Sequence, residues 1–354
     1  MAAPFPPRES RLMLPAPPDG MALEAIPAWA ATQRAQTGAV VCVLHQQAID
    51  GTRLHWLESA HARGWIQAKE PQAQSGDDRT LAAHAQEALA AGYVGADAVL
   101  LAFLRLHGAL PRLSWGEATV FAPEKTHAAP RLDLYAITDH VERLERALAA
   151  GVKTVQIRIK RPAQPDALWQ AGLREDLARA IAAARAAGAQ CFVNDHWALA
   201  AELGADAVHL GQEDLMALGE DGRRALLASG VALGISSHSV WELCRARALS
   251  PRYIACGPVW PTTTKDMPWL PQGLDNLAWW CQHADAPVVA IGGILAPDQA
   301  RQAAACGADG LCLVRALGDD PARVVPAYAQ ALAEGRRGPT LAAPAWPHPT
   351  LPVG

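Results

Sequence analysis

LDLYAITDHVERLERALAAGVKTVQIRI, residues 132–159, decides how the rest of the chain is read. A short apolar run, Leu132–Thr138, gives way to a helical pattern from His140, and a second short apolar run starts at Thr154. That is a strand, a crossover helix and a parallel strand. The pattern repeats through CFVND from Cys191, AVHLG from Ala207, ALGISS from Ala232, YIACGPV from Tyr253, PVVAIG from Pro287 and GLCLVRAL from Gly310. Helical segments separate them, among them ALWQAGLREDLARAIAAARAAG from Ala167, SVWELCRARAL from Ser239 and PDQARQAAACG from Pro297. Eight such units predict an α/β chain folded as a (β/α)8 TIM barrel, near the lower end of that fold's size range. The doubly wound open sheet is the alternative, but no GxGxxG follows a strand. The triplet GAD at Gly95, Gly204 and Gly307 is a weak further sign of repetition.

The 354 residues have room for one large unit and a smaller one, and can bury a sizeable core. An apolar fraction of 51% and a charged fraction of 19% describe an ordinary globular chain. With a net charge of -4 and a pI near 6.3, the balance suggests neither nucleic acid nor an anionic membrane as partner. Seven cysteines, odd in number and without a CxxC pair, suggest neither a zinc site nor a disulfide framework. The N-terminal MAAPFPPRESRLMLPAPPDG lacks the continuous apolar core of a signal peptide, and no uncharged apolar run is long enough to span a bilayer. The cytoplasm is the expected location.

The first and last twenty residues are rich in proline and read as disordered tails, 1–20 and 335–354. Pro123, Pro130 and the charges between them mark a linker near residue 130. The expected domains are a small N-terminal α/β region over 21–125 and the barrel over 131–334.

In a barrel of this kind, chemistry gathers at the strand C-termini and the loops after them. Gln156, Arg158 and Lys160, spaced by two, share one face of the second strand. Unpaired cations are costly to bury, so the run is better explained by an anionic ligand than by a lattice of internal ion pairs. Strand three ends in Asn194 and Asp195; strand four leads to Gly211, Gln212, Glu213 and Asp214. Taken singly, Asp195 and Asp214 read as helix N-caps. Taken with the cations, they suit a hard divalent ion such as Mg2+, which takes one or two carboxylates and leaves its other positions to water and phosphate oxygens. Thr262, Thr263, Thr264 and Lys265 follow strand six in a loop bounded by prolines, and hydroxyls beside a lysine suit phosphate. The segment from Trp260 to Gln272 also suits a partly ordered flap. Gly292 and Gly293 after strand seven, and a helix beginning near Gly318 after strand eight, form the usual phosphate-binding end of the fold.

The ordered series VQIRIK from Val155, VNDHWALAAELGADAVHLGQEDL from Val193, LGISSHS from Leu233, YIACGPVWPTTTK from Tyr253, PQGL from Pro271 and AIGGI from Ala290 resembles thiamine phosphate synthases. The resemblance spans nearly the whole barrel. It implies a Mg2+-dependent transferase coupling 4-amino-2-methyl-5-hydroxymethylpyrimidine diphosphate to a thiazole phosphate, with pyrophosphate leaving. It further implies that Arg158, Lys160, Asn194 and Lys265 hold the diphosphate, with Gln156 and Ser236 near the aminopyrimidine. Asp195 and Asp214 would bind Mg2+. Thr262, Thr264, Gly293 and the backbone around Val314 and Arg315 would meet the thiazole phosphate. In that family the C–O bond breaks before the thiazole nitrogen attacks, so Arg158, Lys160 and Lys265 would act as electrostatic catalysts. The partners implied are two small molecules, with no nucleic acid and no membrane; whether the chain forms a homo-oligomer stays open.

His196 stands where the family more often has arginine, Ala198 replaces a frequent acidic residue, and Arg315 a common serine. His209 and His238 read as structural. SGDDRTLAAHAQEALAAGYVGADAVLLAFLRL, from Ser75, faintly resembles the C-terminal helices of ribokinase-like pyrimidine kinases, although Asp77 replaces a usual glycine. A kinase remnant or an association module accounts for it better than a second activity. Two rival functions are a thiazole tautomerase, which would need neither paired aspartates nor the cation cluster, and a ligand-sensing regulator.

Overall fold

The structure is a computed structural model that describes residues 6–47, 53–69, 77–123, 130–263 and 268–352. Contacts along the chain divide it into two units, one of Met1–Glu124, Ser239–Ser250 and Pro349–Gly354, the other of Lys125–His238 and Pro251–His348.

In the first unit, β1 (Leu12–Met13), β2 (Val40–Gln47), β3 (Arg53–Glu58), β4 (Arg63–Gln67) and β5 (Arg112–Leu113) form a sheet in chain order. β1 is parallel to β2, and the remaining strands are an antiparallel meander. Ile26 and Ala30 of α1 (Ile26–Thr37) cover it, packing on Val41, Val43, Leu54, Trp56 and Trp65. The two indoles meet edge to face at 5.1 Å. The helices α2 (Asp77–Ala90) and α3 (Gly95–His107) pack on one another.

The second unit is a closed barrel of eight parallel strands in chain order: β6 (Asp133–Thr138), β7 (Thr154–Ile157), β8 (Gln190–Asn194), β9 (Ala207–Leu210), β10 (Ala232–Ser237), β11 (Tyr253–Cys256), β12 (Val288–Ala290) and β13 (Gly310–Leu313). Pairing of β13 with β6, Cys312 opposite Tyr135, closes it. The connecting helices are α4 (Val141–Ala149), α5 (Ala167–Ala186), α6 (Trp197–Glu202), α7 (Gln212–Ala217) with α8 (Gly219–Ala228), α9 (Val240–Ala248), α10 (Gly273–His283), α11 (Pro297–Ala305) and α12 (Pro321–Arg337). The strands are buried on both faces, as a parallel barrel requires.

Period-two alternation sets which side chains point inward. Tyr135, Ile137, Phe192, Tyr253, Ala255 and Cys312 fill the interior. The Phe192 and Tyr253 rings stand edge to face at 5.1 Å, as do Tyr135 and Tyr253 at 5.7 Å. Gly234 makes room for this packing, since a Cβ there would lie 2.4 Å from the Tyr253 ring. On β10 the neighbouring serines part company: Ser236 lines the interior, whereas Ser237 receives the indole N–H of Trp280 from α10.

Three sequence expectations change here. A single break near residue 130 does not include residues 239–250, which group with the N-terminal unit. All of α9 is buried, and Asp97 of α3 accepts the Trp241 N–H at 2.8 Å, capping its first turn. The indole N–H of Trp115 reaches the Arg245 carbonyl at 2.8 Å, and Arg245 donates to the Arg63 carbonyl at 3.0 Å. Second, the described residues of the proline-rich ends, which read as disordered tails, hold defined contacts. Arg8 donates to the carbonyls of Leu351 and Pro352, Leu351 is 4% exposed, and His348 exchanges backbone hydrogen bonds with the Asn276 amide. Proline removes an N–H donor but leaves its carbonyl, and arginine and asparagine side chains use such carbonyls. Third, the helix expected near Gly318 starts at Pro321, behind a single 3-10 turn at Arg315–Leu317.

Candidate active site

A cavity of about 440 Å³ opens at the C-terminal ends of the barrel strands, and all eight strand ends contribute to its lining. Gln156, Arg158, Lys160, Asn194, Asp195, Asp214, Ser236, Thr262, Gly293, Val314 and Arg315 are brought together on its wall. Thr264 and Lys265 lie outside the described residues.

The β7 to β9 side is charged. Lys160 Nζ donates to Asp195 Oδ2 at 2.5 Å. Asp195 sits in the left-handed region, at φ 64°. That conformation is costly for most residues and least so for Asp and Asn; such strain persists where surrounding structure over-determines it. Here the Asp195 N–H continues the ladder to the His209 carbonyl, at 3.1 Å. Asp214 arrives from the neighbouring strand end, its Oδ2 accepting the Gly211 N–H at 3.0 Å. Burial first, and then the negative charge of Asp195, hold the Asp214 carboxyl above the usual carboxylate range; the Gly211 N–H and Lys160 pull the other way. A carboxyl raised by a second carboxylate is relieved by a cation. Among the described residues no group of three or more His, Cys, Asp or Glu side chains is placed to hold a metal ion. Two carboxylates at neighbouring strand ends are a donor set that an ion taking its other oxygens from water and phosphate could use.

Two groups on this side are unpartnered. The half-buried Arg158 guanidinium makes no hydrogen bond or ion pair among the described residues. Asn194 is 4% exposed and its Nδ2 has no acceptor among the described residues. An orphaned buried donor costs about 1–3 kcal/mol, so Asn194 points to a ligand acceptor, and the uncompensated charge of Arg158 beside it suits an anionic one.

The opposite side is built from backbone. Gly293, at φ 72°, lies where a Cβ would meet the Trp260 Cβ at 2.6 Å and the Pro261 carbonyl at 2.8 Å. Gln299 straps this loop, donating to the Gly293 carbonyl and accepting the N–H groups of Leu295 and Ala296. Arg315 donates to the Thr263 hydroxyl at 3.2 Å. The His238 and Trp269 rings stack 5.4 Å apart at 9°.

The floor between the two sides is polar and neutral. Gln156 Nε2 donates to the Tyr135 hydroxyl at 2.9 Å, which lies 3.0 Å from the Tyr253 hydroxyl. Tyr253 in turn meets His209 Nδ1 at 2.7 Å, and His209 Nε2 meets the Ser236 hydroxyl at 3.0 Å. Burial pushes the His209 imidazolium down to about 4, with Asp195 opposing and Arg158 and Lys160 assisting, so the ring is neutral near pH 7. Sequence reasoning did not assign Tyr135 or Tyr253 to the site and favoured a structural role over a general base role for His209. The signal available was alternation: Tyr135, Tyr253 and His209 each lie two residues before a cavity residue, Ile137, Ala255 and Gly211.

A sequence model of the family described as thiamine monophosphate synthase matches residues 133–317. Thiamine-phosphate synthase of Neisseria meningitidis serogroup A is 44% identical over 207 residues, 58% of this chain and 96% of the relative. The Rhizobium etli thiamine-phosphate synthase is 44% identical over 193 residues, 54% of this chain and 90% of its own length. Among solved structures, thiamine phosphate pyrophosphorylase from Pyrococcus furiosus is 29% identical with a TM-score of 0.49, covering 58% of this chain and 96% of that one. With more than half of its length matched, and the matched part being the barrel that carries the cavity, the chain belongs to the thiamine monophosphate synthase family.

Proposed function

We propose that the barrel joins an aminopyrimidine diphosphate to a thiazole phosphate, giving thiamine phosphate and pyrophosphate. The observation that carries this reading is a pair of donors without a partner among the described residues, the half-buried Arg158 guanidinium and the buried Asn194 Nδ2, beside Lys160 on one rim of the cavity. A diphosphate supplies the acceptors they lack. The glycine-lined loop after β12 and the turn after β13 suit the single phosphate of the second substrate.

The electron count needs no protein nucleophile. The C–O bond between the pyrimidine methylene and the diphosphate breaks, and its electron pair leaves with pyrophosphate. The ring amino group spreads the positive charge left on the methylene carbon. The thiazole nitrogen then donates its lone pair to form the C–N bond, and no proton has to be removed. Arg158, Lys160 and, by resemblance, Lys265 stabilise the charge gathering on the leaving group. Asp195 and Asp214 would hold Mg2+, which supplies further neutralisation of the diphosphate. Thr262, Thr264, Gly293 and the backbone at Val314 and Arg315 hold the thiazole phosphate, and the enclosed floor limits capture of the cation by water.

Pyrophosphate release by the full chain, with both substrates and Mg2+, tests the reading. A thiazole tautomerase or a ligand sensor releases none.

A further inference from the structure

We infer that Tyr135, Tyr253 and His209 are positioning residues that fix the direction of the Ser236 hydroxyl, and so make the floor of the cavity selective for an amino over an oxo pyrimidine. The inference rests on the proposed binding of an aminopyrimidine diphosphate at Gln156 and Ser236.

The five groups form one continuous chain, Gln156 to Tyr135 to Tyr253 to His209 to Ser236, with links of 2.9, 3.0, 2.7 and 3.0 Å. They come from β7, β6, β11, β9 and β10, so five of the eight strands hold them in register. Tyr135 is 0% exposed, Tyr253 1% and Gln156 2%, which leaves the phenols no water to choose instead. Each phenol has one proton and a neutral imidazole has one, so the links must all run the same way. Gln156 uses an amide N–H on Tyr135. Tyr135 therefore donates to Tyr253, and Tyr253 to His209 Nδ1. The remaining ring proton sits on Nε2 and is given to the Ser236 oxygen. Ser236 thus keeps its own proton for the cavity, and Gln156 keeps its carbonyl Oε1.

The ligand edge that fits is an N–H facing Gln156 and an acceptor nitrogen facing Ser236, the pattern of an aminopyrimidine. An oxo pyrimidine offers the reverse: a carbonyl would meet Oε1 and a ring N–H would meet a hydroxyl hydrogen. To accept that N–H, Ser236 would have to use its second lone pair and turn its hydrogen away from the ligand, leaving that hydrogen and Gln156 Oε1 without partners on the ligand. A site built around specific hydrogen bonds rejects a mismatched analogue because buried polar groups are left unpaired.

The tautomer of His209 is the direct readout. In full-length protein labelled with 15N-histidine, the resonances lost in His209→Gln identify the ring. Protonation at Nε2 with bare Nδ1 is expected; protonation at Nδ1 overturns the inference. The second readout is the ratio of kcat/KM for the aminopyrimidine diphosphate to that for its oxo analogue. Tyr253→Phe keeps the ring but cuts the chain, and should lower that ratio by roughly tenfold or more, through KM for the pyrimidine rather than for the thiazole phosphate. His209→Gln, which can still present an N–H to Ser236, should retain more of the ratio than His209→Asn. An unchanged ratio in Tyr253→Phe, with folding verified by circular dichroism, also overturns it. Absence of pyrophosphate release by the parent chain would instead sink the proposed reaction, and the tautomer measurement would still decide the direction of the chain.

Discussion

Replacing Asp97 by asparagine should make the protein more resistant to unfolding at alkaline pH than its parent. Asp97 is 3% exposed on α3, and its Oδ1 accepts the Trp241 N–H at the start of α9. Burial pushes its carboxyl from 3.8 up to about 8, with the charge of Glu242 adding to the rise and backbone donors opposing it. The folded chain therefore keeps a proton that the unfolded chain gives up near pH 4. Stability from this group is fully present below about pH 4 and is lost as the pH rises through about 8. A rise of about four units is worth on the order of 6 kcal/mol at roughly 1.36 kcal/mol per unit. Asparagine carries no charge at any pH and retains a carbonyl for Trp241. Its NH2 group serves a second backbone donor less well, a constant offset of about 1 kcal/mol. Urea unfolding of both chains at pH 4.5, 6.5 and 8.5, followed by tryptophan fluorescence, isolates the effect because every other group titrates alike in the two. The difference in unfolding free energy should swing toward the variant by several kcal/mol across that range. A difference that stays flat from pH 4.5 to 8.5 refutes the reasoning.

Asp195→Asn keeps a residue that tolerates the left-handed backbone while removing the charge, and should lower turnover with both substrates and Mg2+ roughly 100-fold or more; turnover equal to the parent's would remove Asp195 from the metal site. Arg158→Ala should raise KM for the pyrimidine diphosphate roughly 10- to 100-fold and leave KM for the thiazole phosphate near its parent value, as steady-state kinetics would show. Gly234→Ala places a Cβ 2.4 Å from the Tyr253 ring and should cost about 1–3 kcal/mol by thermal unfolding, whereas a parent-like Tm would show that the aromatic floor can shift. A chain beginning near residue 125 lacks the groups that cap and cover α9, including Asp97, Arg63 and Trp115, and should unfold at lower urea concentration than the full chain.

The alternation of short apolar runs with helical stretches was enough to fix the (β/α)8 architecture and its eight strands, because a parallel strand buried on both faces and an amphipathic helix each leave a local signature. The charged half of the site was legible for a similar reason. Gln156, Arg158 and Lys160 repeat every second residue, and isolated aspartates at strand ends stand out against apolar neighbours. What no local pattern carries is which polar groups meet across the barrel. Tyr135 and Tyr253 look like ordinary core aromatics in sequence, yet 118 residues apart their hydroxyls lie 3.0 Å from one another. Likewise α9 has the sequence of any barrel helix, and only the tertiary contacts of Asp97, Arg63 and Trp115 assign it to the N-terminal unit. Hydrogen bonds between strands distant in sequence depend on barrel closure and register, and those are properties of the packed chain rather than of any window along it.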